Sequence, residues 1–255
     1  MHSATANFEQ LQDDARRAKA GAMANILLTG ASRGIGAAAL HALAAAGHHV
    51  IGQSTAGGDG LIAADFARPN AADALWTAAL DRAGGRIDVL VNNAGVFEGA
   101  DLADATAFDT AWTRSLAINL QSAADLCRHA VLHFQATGPG RIINIASRAG
   151  HRGDSPAHWH YAAAKGGMLA LTKTIARGYA REGILAFAIT PGFTMTGMAE
   201  DYLASRGGDK LLADIPLGKV ADPEEVAEAI RWLASDAPAS LTGATLDING
   251  ASYVR

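Results

Sequence analysis

One cysteine in 255 residues, Cys127, leaves no intrachain disulfide to form, so no oxidised framework holds this fold. No run of about 18 apolar residues is present to cross a bilayer as a helix. Charge of either sign is scarce: Lys plus Arg number 21 and Asp plus Glu 25, a formal balance of −4. That mild acidity gives no footprint for nucleic acid or for an anionic membrane surface. The first twenty residues lack the apolar stretch of a signal peptide, carrying Glu9, Asp13, Asp14, Arg16, Arg17 and Lys19 instead. A soluble cytoplasmic protein is the expectation. What is plentiful is apolar surface, 49% of residues, which excludes a disordered chain and suits one α/β domain of ordinary size.

Residues 1–22 are polar and read as a peripheral extension or as the product of an upstream start, with Met23 opening the domain proper. From there short apolar runs alternate with helical patterns. The runs Ile26–Thr29, His49–Gly52, Leu61–Ala64, Val89–Asn92, Arg141–Ala146, Leu185–Thr190 and Ala244–Asp247 predict strands. Helices are predicted around 35–46, 70–83, 106–136, 160–182 and 223–235. Such alternation implies βαβ units, right-handed crossovers and a parallel sheet covered on both faces. The last helix carries its own punctuation, with Asp222 as N-cap, Pro223 at the first position, and Val226, Ala229, Ile230 and Leu233 as an apolar stripe. Residues 194–221 read as an irregular insertion, with no second domain.

Thr29-Gly30-Ala31-Ser32-Arg33-Gly34-Ile35-Gly36 joins the first strand to the first helix. Glycines let a backbone turn tightly and approach a pyrophosphate, and the helix start aims free N–H groups at the anion. The spacing Gly-x-x-x-Gly-x-Gly is weak alone and gains weight from its place directly after a strand. Tyr161 and Lys165 stand four apart on a predicted helix, so both lie on one face, and a nearby ammonium favours the phenolate. Ser147 follows a strand end, where parallel sheets open onto their binding crevice.

These motifs, with Asn92-Asn93-Ala94-Gly95 and Pro191-Gly192 in order between and after them, resemble the short-chain dehydrogenase/reductase family over residues 23–255, and in particular its 3-oxoacyl-carrier-protein-reductase-like members. The resemblance implies a single Rossmann domain, a doubly wound seven-stranded parallel sheet in the order 3-2-1-4-5-6-7 with helices on both faces. It implies catalytic roles for Asn119, Ser147, Tyr161 and Lys165, with Asn119 holding a water that links Lys165 to solvent. It assigns cofactor contacts to Gly30, Ser32, Arg33, Gly34, Ile35 and Gly36, to Ser54 and Asp65, and to Asn92 and Gly95. Tyr161, Lys165, Pro191, Gly192 and Thr194 complete that set. A substrate lid is expected near 194–221, and a homotetramer or homodimer through the helices at 106–136 and 160–182.

NADP(H) is favoured over NAD(H). The second strand ends Gly52-Gln53-Ser54-Thr55 with no acid until Asp59, so nothing there repels a 2′-phosphate, and Arg33 stands where NADP-preferring relatives often carry a base. The reading is hydride transfer between a ketone and a secondary alcohol, a small molecule. The competing reading is a sensor or scaffold that binds NADP(H) without catalysis. Ser147 and Tyr161 stand 14 apart, one more than expected of close relatives, with the extra residue in a loop holding Arg148, Arg152 and three histidines. That loop would tolerate an anionic substrate. No metal site is expected: His129 and His133 share helical spacing but lack the glutamate and third ligand of a zinc motif. Cys127 reads as a small core or interface residue.

Overall fold

The computed structural model describes residues 23–195 and 212–255. The expected extension (1–22) and most of the expected lid (196–211) lie outside the described residues. Seven parallel strands form one sheet in the order β3-β2-β1-β4-β5-β6-β7, as the family resemblance implies. In chain order the elements are β1 (Asn25–Leu28), α1 (Gly34–Ala45), β2 (His49–Ser54), β3 (Ile62–Ala63), α2 (Ala71–Arg82) and β4 (Val89–Asn92). There follow α3 (Ala105–Leu116), a π turn (Ala117–Gln121), α4 (Ser122–Thr137), β5 (Gly140–Ile145) and the short α5 (Ala149–Arg152). The long α6 (Trp159–Tyr179), β6 (Ile184–Pro191), α7 (Pro223–Ser235) and β7 (Thr245–Ile248) complete the domain.

The strands are apolar on both faces because both faces are covered. Ile26, Leu28, Val89, Val91 and Ile143 point to one side and pack with Ala39 and Leu43 of α1 and Val226, Ile230 and Leu233 of α7. Their chain neighbours Leu27, Leu90 and Ile142 point to the other, against Leu75 and Trp76 of α2, Leu126 and Phe134 of α4 and Ile175 of α6. The chain runs outward from β1 in both directions, with Leu27 opposite Ile51 on one side and Leu90 on the other. Loops leaving β1 and β4 therefore part, and a crevice opens beyond their carboxyl ends.

Two elements depart from expectation. The third strand shrinks to Ile62–Ala63, an edge where pairing with Gln53 and Ser54 is all that remains. The single helix expected over 106–136 is broken by the π turn, which bears Asn119. A wider turn of this kind re-aims side chains and is common at functional positions.

The last helix forms as its sequence dictates. Asp222 accepts from the backbone N–H of Glu225, while Glu225 Oε2 accepts from the Asp222 N–H at 2.8 Å, a reciprocal capping box ahead of Pro223. Because α7 backs α1, this cap also steadies the helix that opens onto the crevice. Replacing Asp222 with Ala is expected to lower the unfolding free energy by about 1 kcal/mol in urea titration; unchanged stability would show that the cap is idle.

Candidate active site

The glycine turn is built by its neighbours. Gln53, 2% exposed, accepts from Gly30 N at 2.8 Å and donates to Ala64 O at 2.6 Å, lacing β2 to the turn. Thr29 Oγ1 accepts from Asn93 N at 2.9 Å and Ala94 N at 3.0 Å, and Asn93 Nδ2 donates to Thr29 O and Gly30 O at 3.0 and 3.1 Å. Gly30 has φ +67°, and a Cβ on Gly36 would stand 1.9 Å from Gly30 O, so the crossing admits glycine alone. The helix start that results is open. Arg33 at the N-cap makes no side-chain cap, and the first turn of α1 holds no acid. Free N–H groups, a positive dipole end and the exposed Arg33 form a donor set suited to a diphosphate.

A cleft of about 2110 Å³ runs from this turn to Tyr161, room for a dinucleotide and a substrate together. Gly30, Ser32, Arg33, Gly34, Ile35, Gly36, Ser54, Asp65 and Gly95 line it, as do Ser147, Tyr161, Lys165, Pro191, Gly192 and Thr194. The Ser54 hydroxyl donates to Gly57 O and accepts from Gly57 N, closing the β2 end as a small turn. Asp59 is not among the lining residues. Asn92 is not among the lining residues either. It lies buried beneath the floor, donating to Asn144 Oδ1 at 2.9 Å and Cys127 Sγ at 3.3 Å. Its neighbour Asn93 holds the turn, because successive positions at a strand end face opposite ways.

Beyond β5, the Ser147 hydroxyl accepts from Ala149 N at 3.1 Å and shares the cleft wall with the Tyr161 phenol. Burial pushes that phenol up to about 12, with the Ser147 contact opposing and the charge of Asp154 adding to the rise. The ammonium expected to lower it is directed elsewhere. Lys165 Nζ donates to Ile145 O at 2.7 Å, lies 5.7 Å from the Tyr161 ring centre, and is held down to about 8 by burial.

Asn119 stands close by, fully buried on the π turn. Its Oδ1 accepts from Val96 N at 2.9 Å, and its Nδ2 donates to Val96 O at 3.0 Å and Ser115 Oγ at 2.9 Å. A Cβ on Gly95 would stand 2.8 Å from Asn119 Oδ1 and 3.7 Å from Lys165 Nζ, so Gly95 keeps this crossing open. Gly150, which carries no sequence signal, does the same below. A Cβ there would meet the Lys165 carbonyl carbon at 2.7 Å, where α5 crosses α6.

The mouth is aromatic. Phe97 stacks on His158 at 3.9 Å and meets Tyr161 edge-on at 4.8 Å, and His160 Nε2 contacts Glu98 O at 2.8 Å. His129 pairs with Asp73 and stacks on Trp76, while His133 accepts from Ile87 N, so both are structural. Among the described residues no cluster of three metal-ligating side chains occurs, and no helix is long and apolar enough to cross a membrane. Cys127 is buried, its thiol pushed up to about 12 by that burial.

Comparison with known proteins agrees with this geometry. The family described as enoyl-(acyl carrier protein) reductase matches residues 30–251. The chain is 39% identical to a 3-oxoacyl-(acyl-carrier-protein) reductase of Synechocystis over 242 residues, covering 88% of this chain and 94% of the relative. It is 35% identical to the reductase of the same description from Escherichia coli, covering 89% and 96%. It is 38% identical to a cis-4-hydroxycyclohexanecarboxylate dehydrogenase of Sinomonas cyclohexanicum, covering 88% and 94%. The protein belongs to the short-chain dehydrogenase/reductase family. It is an oxidoreductase of that family.

The close crossing at Gly150 has a control within α6. Gly178 has nothing within 4 Å of its hypothetical Cβ. Gly178→Ala is expected to stabilise by up to about 1 kcal/mol through helix propensity, whereas Gly150→Ala destabilises by about 1–3 kcal/mol through overpacking. Thermal melts of the two variants check this; equal shifts would contradict it.

Proposed function

We propose that the protein is an NADP(H)-dependent oxidoreductase interconverting a ketone and a secondary alcohol, with Tyr161 as general acid and base. The observation that carries the reading is the convergence of Ser147, Tyr161 and Lys165 on the wall of one cleft, with Lys165 one helical turn behind Tyr161. The relatives' names support the functional group: a 3-oxoacyl chain carries a ketone and a 4-hydroxycyclohexanecarboxylate a secondary alcohol. The cofactor choice rests on the end of β2, which offers Ser54, Thr55, Ala56 and Gly57 to the cleft and no carboxylate, and on Arg33, which lines the same cleft. Arg33 would offer a guanidinium to a 2′-phosphate, and no acid on the end of β2 itself would repel it.

When bound, NADPH supplies a hydride to the carbonyl carbon. Ser147 orients the carbonyl oxygen through its hydroxyl. Tyr161 stays protonated at neutral pH in the free protein, because burial outweighs the Ser147 contact, so the proton for the nascent alkoxide is in place. In the oxidative direction the same phenolic oxygen takes the alcohol proton. Lys165 is charged below about pH 8 and favours the phenolate as the proton leaves. Asn119 fixes the Val96 backbone and with it the floor under Lys165. Positioning and fixed dipoles carry the rate, with no covalent chemistry by the protein.

A non-catalytic binder would be expected to have lost part of this set, and Asn119, Ser147, Tyr161 and Lys165 are all present. Tyr161→Phe is expected to reduce ketone-dependent NADPH oxidation by at least about a hundredfold, while NADPH binding, followed by nucleotide fluorescence, persists. Unimpaired turnover overturns the mechanism. Tight NADPH binding by the unaltered protein with no turnover across a broad ketone panel favours the sensor.

The assembly proposed is a homotetramer, or a homodimer, formed through α3, α4 and α6. Trp159, 54% exposed, meets Phe108 edge-on at 6.1 Å, and Phe108 packs on Trp112, leaving an apolar aromatic face on α3 and α6. Light scattering after size exclusion is expected to give two or four times the 26.2 kDa chain mass; a monomer contradicts this.

A further inference from the structure

Arg148 takes no part in the proton path, yet it is the most enclosed cation of the mouth. It follows Ser147 directly, lines the cleft, and its side chain is 7% exposed. A guanidinium presents five N–H donors and keeps its charge at every physiological pH. Among the described residues the Arg148 side chain makes one hydrogen bond, from Nη1 to Asp214 Oδ2 at 3.3 Å, a long contact for charged partners. Arg148 is among the residues that line the cleft, and its Cζ stands 5.0 Å over the Phe193 ring. A largely enclosed guanidinium with a single long bond keeps donors available to an anion that enters the cleft. Burial also pulls the guanidinium pKa down, and the neighbouring charge of Arg152 adds to that.

The same oxygen of Asp214 receives Arg152 Nη2 at 3.1 Å. One carboxylate oxygen thus bridges two guanidinium groups. Asp214 is itself half exposed and can turn to water at little loss, while Arg148 cannot. Asp154 adds its negative field to Arg148 and to Tyr161, so an incoming anion is held only within hydrogen-bond reach of the guanidinium groups.

We infer that Arg148, seconded by Arg152, anchors a carboxylate borne by the carbonyl substrate, so that the enzyme selects small oxo acids over neutral ketones. The inference rests on the ketone–alcohol reading above. Arg148 and Ser147 are consecutive, so the acid and the carbonyl are addressed by adjacent residues and belong to one compact molecule. Arg148 then determines specificity, and Ser147 and Tyr161 perform the chemistry.

The test compares 4-oxocyclohexanecarboxylate with its methyl ester, and 4-oxopentanoate with its methyl ester, in NADPH oxidation by the unaltered protein. The acid of at least one pair is expected to exceed its ester by about tenfold or more in kcat/KM, mainly through KM. Arg148→Met is expected to bring that ratio close to one, and Arg148→Lys to keep part of it. Equal efficiency of acid and ester in both pairs overturns the inference and leaves the oxidoreductase reading intact. A fall of acid and ester together in Arg148→Met shows a structural residue and overturns it too. So does a weakened NADPH affinity with the acid preference preserved, which would assign Arg148 to a cofactor phosphate. Failure to reduce any ketone, neutral ones included, removes the oxidoreductase reading and the inference with it.

Discussion

A lysine ammonium kept out of water and satisfied by a backbone carbonyl is the constraint around which this site is arranged. Lys165 Nζ donates to Ile145 O at the end of the inner strand β5, and burial brings its pKa down to about 8. Among the described residues its one hydrogen bond runs to that carbonyl, and Nζ lies 5.7 Å from the Tyr161 ring centre on the wall of the cleft. The surroundings read as the conditions for that placement. Gly150 lets α5 cross α6 at the level of the Lys165 backbone, Gly95 clears the space before Nζ, and Asn119 holds Val96 from a turn widened for the purpose. Two close crossings and one widened turn meet around one residue.

The cleft divides into two halves with different sources of shape. The half near β1 is defined by backbone: a glycine crossing, an uncapped helix start, and Gln53 and Asn93 pinning the turn from either side. Such a site tolerates little variation because each contact is fixed by main-chain geometry. The half near Tyr161 is defined by side chains, with His158 and Arg148 of the 148–160 segment packed on Phe97 and Phe193 from neighbouring loops. Loops of this kind are where members of one fold diverge in what they accept. The relatives named for an acyl chain and for a cyclohexane ring share most of the chain with this protein and differ in substrate.

Much of the fold was legible because parallel strands buried on both faces leave near-continuous apolar runs, and these run from Ile26 to Leu28, Val89 to Val91 and, interrupted only by Asn144, Ile142 to Ile145. The helix at 223–235 was legible to the residue because its cap, proline and stripe all agree. The π turn was hidden, since nothing in Ala117-Ile118-Asn119-Leu120-Gln121 marks a widened turn except an asparagine that gains from tertiary bonds. Asn92 and Asn93 look alike in sequence, and only strand direction separates the buried one from the one that grips the turn. Gly150 passed unnoticed because close helix crossings involve residues distant in the chain. The raised phenol of Tyr161 likewise needed three dimensions, because spacing gives the lysine's proximity and not the burial that outweighs it.

The central claim is that Lys165 is a dry, poised ammonium, and it is open to direct reading. The chain has five lysines, so 13C labelling of their ε carbons gives a spectrum simple enough to titrate by NMR in the free protein. The account predicts one resonance with a midpoint near pH 8, missing from Lys165→Met. Five lysines all titrating together near the ordinary 10.5 would contradict it.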